Sequence, residues 1–311
     1  MRQLLRQFAR QFARQFARQR TALIEANYRF LMVRAATLTL CLSTAFGSAS
    51  SLQAIAEPSQ NAGFASSLVS SAPWSGLLES CVQALDNNAG TAVDYDCFAA
   101  REDQLDDYLK ALSDVERDTL LAEPKAAQLA FLINAYNAWT VKLILNNWPG
   151  VVSIRDLGSI LRSPWKQNFI PLLGDTVSLD DIEHGMIREP GRFDDPRIHF
   201  AVNCASIGCP ALRREAYTAQ DIETQLEEQT RSFLADSSRN RMAGDRLEVS
   251  SIFKWYQDDF EKGWGKIGAL DDFLYRYRDA LKLTPAQAER LANGQLAVEF
   301  LDYDWRLNKT R

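Results

Sequence analysis

The chain has 311 residues, of which 46% are hydrophobic, an ordinary value for one large globular domain or two modest ones. No apolar run in the sequence reaches the roughly 18 residues that a membrane span needs. Without residues 1–56 the chain keeps 27 basic residues (35 − 8) and 39 acidic residues (40 − 1), a net charge near −12 (27 − 39). Such an acidic chain argues against nucleic acid or anionic lipid as a partner.

Residues 1–56 are typical of a secretory signal region. An apolar run and then small residues lead to an A-x-A cleavage site, Ala54-Ile-Ala56, and this predicts a periplasmic or secreted protein cleaved near Ala56. The Arg-Gln-Phe-Ala repeat between Arg6 and Ala17 precedes a second basic start, so we expect the true translation start at Met32. A basic, amphipathic membrane-surface arm is the alternative interpretation of the repeat.

The composition then divides the rest of the chain in two. Residues 57–73 are rich in Ser, Ala, Gly and Asn and predict a disordered leader. No stretch after Trp74 is typical of a linker, so we expect residues 74–311 to form a single globular domain. Four cysteines remain there, and pairing is the default for an even set in an oxidising compartment. Cys81 with Cys97 is the preferred disulfide, because it would join a helix to the loop that follows.

Helical spacing of apolar residues predicts helices over residues 77–85, 105–112 and 125–147. The first is expected to end at Asn87-Asn88-Ala-Gly90, and the last to be the central buried helix because it is apolar nearly all round. Asn134, Tyr136 and Asn137 lie within that helix. The two amides share a face, so they either bond the backbone of a neighbouring loop or line a site.

Two glycine turns predict hairpins, one at Gly174-Asp175 and one at Gly244-Asp245. Between them a helix is expected up to Arg188, with Asp180, His184 and Arg188 on one face and Glu183 about 100° away. A carboxylate one turn before an imidazole fixes its tautomer; a surface ion network is the alternative. The remaining helices are expected near residues 218–234, 252–256, 266–281 and 284–293, and a closing strand over 298–303.

Residues 197–203 alternate loosely between apolar and polar, which predicts a short buried strand that ends at Cys204. Residues 199 and 204 are an odd number apart, so their side chains would lie on opposite faces of that strand. This favours His184 over His199 as the base for a Cys204 nucleophile, with Asp180 or one of the amides as the orienting group and His199 as support. Candidate substrate or oxyanion contacts are Asn134, Tyr136, Asn137, Arg188, Asn203 and Ser206.

The sequence has no Walker pattern, no G-x-G-x-x-G, no C-x-x-C and no H-E-x-x-H motif, and we expect no cofactor. Two alternatives compete with a nucleophilic thiol. Cys204 and Cys209 would lose their reactivity if they formed a disulfide. A zinc ion held by His184, His199, Cys204 and Cys209 is the other alternative, although the H-x4-C-x4-C spacing is unusual.

Several ordered motifs resemble the domain of unknown function 547 family, in a bacterial exported member, between about residues 74 and 308. They are Val93-Asp-Tyr95, Phe131-Leu-Ile-Asn-Ala-Tyr-Asn137, Ser178-Leu-Asp-Asp-Ile-Glu-His184 with Ile187-Arg188, Asp195-Pro-Arg-Ile-His-Phe-Ala-Val-Asn-Cys-Ala-Ser206 with Cys209-Pro210, Phe253-Lys-Trp-Tyr256 with Asp259-Phe260, and Tyr303-Asp-Trp305. The resemblance implies no settled activity, but its histidines and first cysteine fall on His184, His199 and Cys204. Ala135 and Trp139 depart from its helix motif.

These patterns together predict an α+β domain in which a long buried helix packs on a small, mainly antiparallel sheet. The chain is more weakly similar to papain-like and transglutaminase-like thiol enzymes. Their histidine follows the cysteine along the chain, whereas here His184 precedes Cys204. The predicted function is an exported thiol-dependent hydrolase or acyl transferase acting on an amide or ester, a small molecule or peptide of the cell envelope. The alternative is a non-catalytic binding or structural domain with a Cys204–Cys209 disulfide.

Overall fold

The computed structural model describes residues 68–85, 90–159 and 162–310. This part of the chain has the predicted α+β composition, with many helices and three small sheets. Within those ranges no helix combines the length and the apolar character that crossing a membrane requires. The predicted signal region, the translation start and most of the predicted leader lie outside the described residues.

The described residues contain ten α-helices, several 3₁₀ turns and one π-helix, Asp181–Ile187. The α-helices are α1 Ala72–Cys81, α2 Tyr95–Ala99, α3 Glu102–Ser113, α4 Arg117–Ala122, α5 Lys125–Leu145, α6 Ile222–Ala235, α7 Ile252–Trp255, α8 Gln257–Glu261, α9 Leu270–Arg276 and α10 Pro285–Ala292. The strands are β1 Val82–Ala84, β2 Thr91–Val93, β3 Ile170–Leu172, β4 Asp175–Val177, β5 Arg241–Ala243, β6 Arg246–Ser250 and β7 Ala297–Leu301.

Both predicted hairpins are confirmed. β3 pairs antiparallel with β4 and β5 pairs antiparallel with β6. Gly174 (φ 82°) and Gly244 (φ 66°) adopt the left-handed conformation that these turns require and that glycine adopts without steric cost. β7 then adds to β6 as a parallel strand. The strands of the described chain are thus divided among three sheets of two, two and three strands, where one small sheet was expected.

α5 is the predicted central helix, and 18 of its 21 residues are buried. Its principal neighbours are the π-helix and α3, with α2 and α6 beside them. The antiparallel hairpin of β3 and β4 adds Ile170, Leu172 and Val177 to the same hydrophobic cluster as α5. A helix that is apolar nearly all round needs cover on every side, and several neighbouring helices provide it.

Two local predictions are wrong. α1 ends at Cys81, where the chain turns directly into β1, so the predicted helix over residues 77–85 is too long. The predicted strand over residues 197–203 is instead a 3₁₀ helix, Pro196–Phe200. Pro196 supplies a preset φ at its first position, and the Asp195 side chain accepts the backbone N–H of Arg197 and caps it.

This 3₁₀ helix lies between two hydrophobic clusters. Ile198 belongs to the cluster around α5, whereas Phe200 packs with Phe253, Phe260 and Phe273 in a second cluster formed by the C-terminal third of the chain. Both clusters therefore hold the segment that leads to Cys204. That segment carries the candidate site at the junction of the two.

Candidate functional site

A cavity of about 220 Å³ opens at this junction. Five of the predicted site residues line it: Tyr136, Asp180, His184, His199 and Cys204. Its other lining residues are Ser163, Trp165, Glu183, Val202, Cys209, Pro210, Ile252, Trp255, Tyr256, Tyr303 and Trp305. Both histidines of the chain and one pair of cysteines therefore share one concave surface, which is the usual form of a ligand site.

His199 is held by a carboxylate. Its Nε2 lies 2.8 Å from Oδ2 of Asp259, its ring stacks on Tyr256 with the centroids 3.9 Å apart, and its side chain is only 1% exposed. Nδ1 is buried and has no hydrogen-bond partner among the described residues. Because an ionised carboxylate can only accept a hydrogen bond, Nε2 carries the proton, and this contact selects the tautomer that leaves a lone pair on Nδ1.

The charge of this pair is fixed by its surroundings. Burial lowers the pKa of His199 and outweighs the opposing effect of the hydrogen bond that Nε2–H donates to Asp259. Burial alone would raise the pKa of Asp259, but hydrogen bonds from His199, Arg188 (Nε, 2.6 Å) and Lys262 (Nζ, 2.5 Å) hold that pKa far below its usual range. The stable state at neutral pH is therefore a neutral imidazole beside an ionised carboxylate.

His184 has different neighbours. An N–H of Arg188 donates to its Nδ1 at 2.5 Å, and its Nε2 lies 3.7 Å from Oδ1 of Asp180. The predicted cluster of Asp180, His184 and Arg188 is thus present, although the element is a π-helix. The lone pair on Nδ1 is already engaged by a guanidinium, so in this arrangement His184 carries its proton on Nε2.

Glu183 is a lining residue that helical periodicity placed on the wrong face. Its Oε1 accepts the hydroxyl of Tyr256 at 2.8 Å and lies 4.0 Å from Nδ1 of His184. The expected 100° offset holds for an α-helix, whereas this segment bonds from i+5 to i, with N–H of Arg188 donating to the carbonyl of Glu183 at 2.9 Å. Burial raises the pKa of Tyr136, and the nearby Glu183 carboxylate adds to that shift.

Cys204 and Cys209 form a disulfide on the cavity wall, with Cα atoms 6.0 Å apart. The Tyr303 hydroxyl lies 3.2 Å from each of the two sulfurs, and the backbone N–H of Cys204 points at the Cys209 sulfur at 2.8 Å. Gly208 makes room for the Tyr303 ring, because a Cβ at this position would lie 2.9 Å from the ring atoms. Hydrogen-bond donors therefore surround the sulfurs, as a thiolate would require.

A family model described as "Protein of unknown function, DUF547" matches residues 121–234. These residues belong to that family. No curated protein and no solved structure matches the chain. The matched DUF547 segment includes Glu183, both histidines, Cys204 and Cys209, whereas Asp259, Tyr303 and Trp305 lie beyond its end.

Both asparagines of α5 in the DUF547 segment bond backbone groups and do not line the cavity. Asn134 accepts the N–H and donates to the carbonyl of Tyr217 at 2.9 and 2.8 Å. Asn137 accepts the N–H of Asn203 at 2.8 Å and donates to the carbonyl of Ala201 at 3.0 Å. The expected substrate contact is thus replaced by a supporting one, and Asn137 fixes the backbone just before Cys204.

Three further candidate contacts also lie behind the cavity wall. Asn203 donates to the carbonyl of Pro210 at 2.7 Å and accepts the N–H of Ala205 at 2.9 Å, which closes the turn of the DUF547 segment that carries both cysteines. Ser206 is fully buried, with its Oγ 3.8 Å from the Cys204 sulfur. Arg188 donates one hydrogen bond to Asp259 and one to His184. None of these three residues lines the cavity.

The zinc alternative finds no support in the geometry. No group of three or more His, Cys, Asp or Glu side chains in the described ranges is arranged to hold a metal ion. Two of its four proposed ligands, Cys204 and Cys209, are bonded to each other.

The sequence analysis assigned no site role to Asp259, to Glu183 or to most of the aromatic residues that line the cavity. These aromatic residues are Trp165, Trp255, Tyr256, Tyr303 and Trp305. Asp259 is 60 residues from its partner His199, so no local spacing links them. The family motifs included Asp259, Tyr256, Tyr303 and Trp305, but gave them no role. The one available signal was that a buried histidine needs a carboxylate or carbonyl partner, and the Asp259-Phe260 motif offered one.

Proposed function

We propose that the reduced protein is a thiol-dependent hydrolase or acyl transferase in which Cys204 is the nucleophile and His199 is the base. The observation that carries this proposal is the state of His199. Its Nε2 is fixed by Asp259, its Nδ1 has a free lone pair, and it shares a cavity with Cys204. A nucleophile and a base in one cleft, with an acid behind the base that orients it, form the minimum set for covalent acyl transfer.

The proposed reaction has two steps. Nδ1 of His199 takes the thiol proton while the Cys204 sulfur bonds to the carbonyl carbon of an amide or ester. The amine or alcohol then leaves with the proton from the imidazolium, and a thioester remains. His199 then takes a proton from water, or from a second amine or alcohol, as its oxygen or nitrogen bonds to the thioester carbon. The bond from that carbon to sulfur breaks, and the sulfur regains the proton from the imidazolium. Asp259 stays ionised throughout and stabilises the imidazolium, as the carboxylate of a catalytic triad does.

His199 replaces His184 as the proposed base. The preference for His184 depended on a strand over residues 197–203, and that segment is a 3₁₀ helix. In addition, the guanidinium of Arg188 already donates to Nδ1 of His184. His184 and Asp180 remain on the cavity wall and become proposed contacts for the leaving group.

This chemistry requires the Cys204–Cys209 bridge to be open. A dithiol supplies two electrons and two protons, is itself oxidised to a disulfide, and leaves Cys204 and Cys209 as thiols. The backbone N–H of Cys204 is then released from the Cys209 sulfur, and it becomes the proposed donor to the oxyanion of the tetrahedral intermediate. Tyr303 donates to the thiolate from 3.2 Å.

The expected export of the chain is part of the same proposal. Two disulfides are typical of proteins that fold in an oxidising compartment. The proposed substrate is an amide or ester that is available there, a small molecule or peptide. The acidic surface after residue 56 supports a partner other than nucleic acid.

Alkylation kinetics test the proposed pair. After reduction of the native protein with dithiothreitol and its removal, iodoacetamide at pH 6 should label Cys204 at least about tenfold faster than a free cysteine, because only a stabilised thiolate reacts at this pH. His199→Ala should remove that advantage, whereas His184→Ala, the matched control, should retain most of it. A rate equal to that of free cysteine, unchanged by His199→Ala, would contradict the proposal.

The disulfide itself favours a second candidate function, a non-catalytic exported binding domain. In that function the Cys204–Cys209 bridge stays closed and shapes the turn, and the cavity binds a ligand without chemistry. The same samples distinguish the two functions. A bridge that stays closed under dithiothreitol while the protein remains folded, as mass spectrometry of the unalkylated peptides would show, supports the binding domain.

A further inference from the structure

One wall of the cavity is made of aromatic rings in mutual contact. The distance from the ring centroid of Trp305 to that of Tyr303 is 4.5 Å. The corresponding distances to Trp255 and Trp165 are 5.7 Å and 5.8 Å. Trp255 is 48% exposed, although a large apolar ring gains from burial. Exposed rings beside a cavity are typical of surfaces that bind a ligand. The acyl chemistry proposed above does not use this wall.

The formal charges on the cavity lining have one sign. Among the described residues that line it, Asp180 and Glu183 are the ionisable acids, and no lysine or arginine is present. The two imidazoles do not offset them, because Nδ1 of His184 accepts a guanidinium N–H and Nε2 of His199 faces the Asp259 carboxylate. The lining therefore favours a positively charged group over a negatively charged one.

Two aromatic rings that line the cavity already contact cations from the protein itself. The guanidinium carbon of Arg155 lies 5.2 Å from the centroid of Trp305, and that of Arg188 lies 4.8 Å from the centroid of Tyr256. Within about 6 Å, the negative face of such a ring attracts a cation, most strongly for tryptophan. The accessible ring of Trp255 has no such cation among the described residues.

We propose that the cavity recognises an alkylammonium group, held between the aromatic wall of Trp165, Trp255, Tyr303 and Trp305 and the carboxylates of Asp180 and Glu183. As a statement about the substrate this rests on the proposed function: the amide or ester would carry a cationic amine near its scissile bond. As a statement about binding it is independent of that function, because neither cysteine takes part.

A matched pair of probes tests the binding. Choline and 3,3-dimethylbutan-1-ol have nearly the same shape and differ by one positive charge. They are titrated into the full chain with Cys204→Ala and Cys209→Ala, and binding is followed by tryptophan fluorescence and calorimetry. We expect choline to bind at least about fivefold more tightly than the neutral alcohol, the factor that a cation–π contact of about 1 kcal/mol provides.

Substitutions locate the site. Trp255→Ala should abolish the preference for choline, and Trp255→Phe should retain part of it. Asp180→Asn should weaken the binding of choline by at least about twofold. Tyr275→Ala is the control, because Tyr275 is also exposed but lies outside the cavity, where its ring contacts Arg278 at 4.7 Å. It should leave choline binding unchanged.

Two outcomes overturn the proposal. Equal binding of choline and the alcohol would leave an apolar pocket without charge selection. Binding of a neutral sugar such as N-acetylglucosamine, with none of choline, would make the aromatic wall a platform for sugar rings. Neither outcome affects the alkylation test of Cys204, so failure here and failure of the thiol chemistry are separate results.

Discussion

The two disulfides of the described chain have contrasting surroundings. Cys81 is fully buried at the end of α1, and its bond to Cys97 ties α1 to α2 across the short hairpin of β1 and β2. Cys204 and Cys209 lie instead on a cavity wall. The Tyr303 hydroxyl lies beside both sulfurs, and His199, which is paired with Asp259, lines the same cavity. Arg101 also donates to the Cys97 sulfur at 3.1 Å, but both histidines of the chain line the cavity of the second bond. The two bonds therefore differ in the imidazoles near them, and not in hydrogen-bond donors alone.

The backbone around the two bridges also differs. Ala205, directly after Cys204, has φ 62° and lies in the left-handed region that a residue with a Cβ seldom adopts. No described residue between Cys81 and Cys97 has a positive φ. Conformations of this kind cost about 1 kcal/mol and concentrate at functional sites, where the surrounding structure maintains them. Here Asn203 maintains it, since its Oδ1 accepts the N–H of Ala205.

Removal of each bridge should separate their contributions to stability. The Cys81–Cys97 bond closes a loop with a sequence separation of 16 and the Cys204–Cys209 bond one of 5. Loop-closure entropy then predicts losses of about 3 and about 2 kcal/mol in the free energy of unfolding for the two double alanine variants. Urea denaturation measures both. A larger loss for Cys204→Ala with Cys209→Ala would mean that the cavity bridge is the main structural crosslink.

Two glycine substitutions sharpen the same comparison. A Cβ on Gly208 would lie 2.9 Å from the ring of Tyr303, so Gly208→Ala should cost roughly 2 kcal/mol, as other overpacking changes do, and should displace Tyr303 from the sulfurs. Gly76 lies inside α1 with nothing within 4 Å of its Cβ position. Gly76→Ala should therefore stabilise the protein by up to about 1 kcal/mol. Thermal unfolding of both variants is the measurement, and a stable Gly208→Ala protein would contradict the close approach.

The pH dependence of stability reports on His199. Its pKa is lowered in the folded protein, so below the usual value of 6.5 the unfolded chain binds a proton that the folded chain does not. Stability should thus be level above pH 6.5 and fall by up to about 1.4 kcal/mol per pH unit below it, until the folded pKa is reached. The pKa of Asp259 is also lowered, and its contribution is lost at lower pH, as pH falls below its usual value of 3.8.

The chain has two histidines, so their substitution variants separate the two contributions. His199→Gln keeps an N–H for Asp259 and should remove most of the fall between pH 6.5 and 5. His184→Gln, at a side chain that is 37% exposed, should retain it. Urea titrations across this range measure the slopes. The reverse pattern would mean that His184 is the perturbed histidine.

The smallest expected effect concerns the rate of reduction. Thiol–disulfide exchange requires access of the attacking thiolate to a sulfur. Dithiothreitol should open the Cys204–Cys209 bridge about tenfold faster than the Cys81–Cys97 bridge, a difference of about 1.4 kcal/mol in barrier. Timed alkylation and peptide mass spectrometry follow both bonds. Simultaneous opening of the two bonds would show that reduction follows unfolding of the whole domain.

The features that were predictable from sequence depend on neighbouring residues. The turns at Gly174-Asp175 and Gly244-Asp245 need a positive φ, which glycine provides, and α5 is apolar over its whole length, so these elements were correctly predicted. The pairing of Cys81 with Cys97 was also predicted correctly. Each of these inferences needs only a local sequence window, because turn chemistry and helical periodicity operate within it.

The site itself was predicted in part, because its chemistry depends on long-range contacts and on unusual helices. Cys204 and both histidines were identified as candidates. The partner of His199 was not, since Asp259 comes from a helix 60 residues away. The alternation over residues 197–203 favoured a strand, whereas Pro196 and the Asp195 cap produce a 3₁₀ helix. The π-helix likewise brought Glu183 to the cavity, contrary to α-helical spacing.

Trapping of an acyl-enzyme tests the central claim most directly. The reduced protein is mixed with p-nitrophenyl acetate, quenched in acid and digested. The mass of the peptide that contains Cys204 is then measured by mass spectrometry. We predict one acetyl group on Cys204 in the starting protein and in His184→Ala, and its loss or marked slowing in His199→Ala. No acetyl group on Cys204, or equal acetylation of Cys204 with and without His199, would contradict the claim that this cavity activates a thiol.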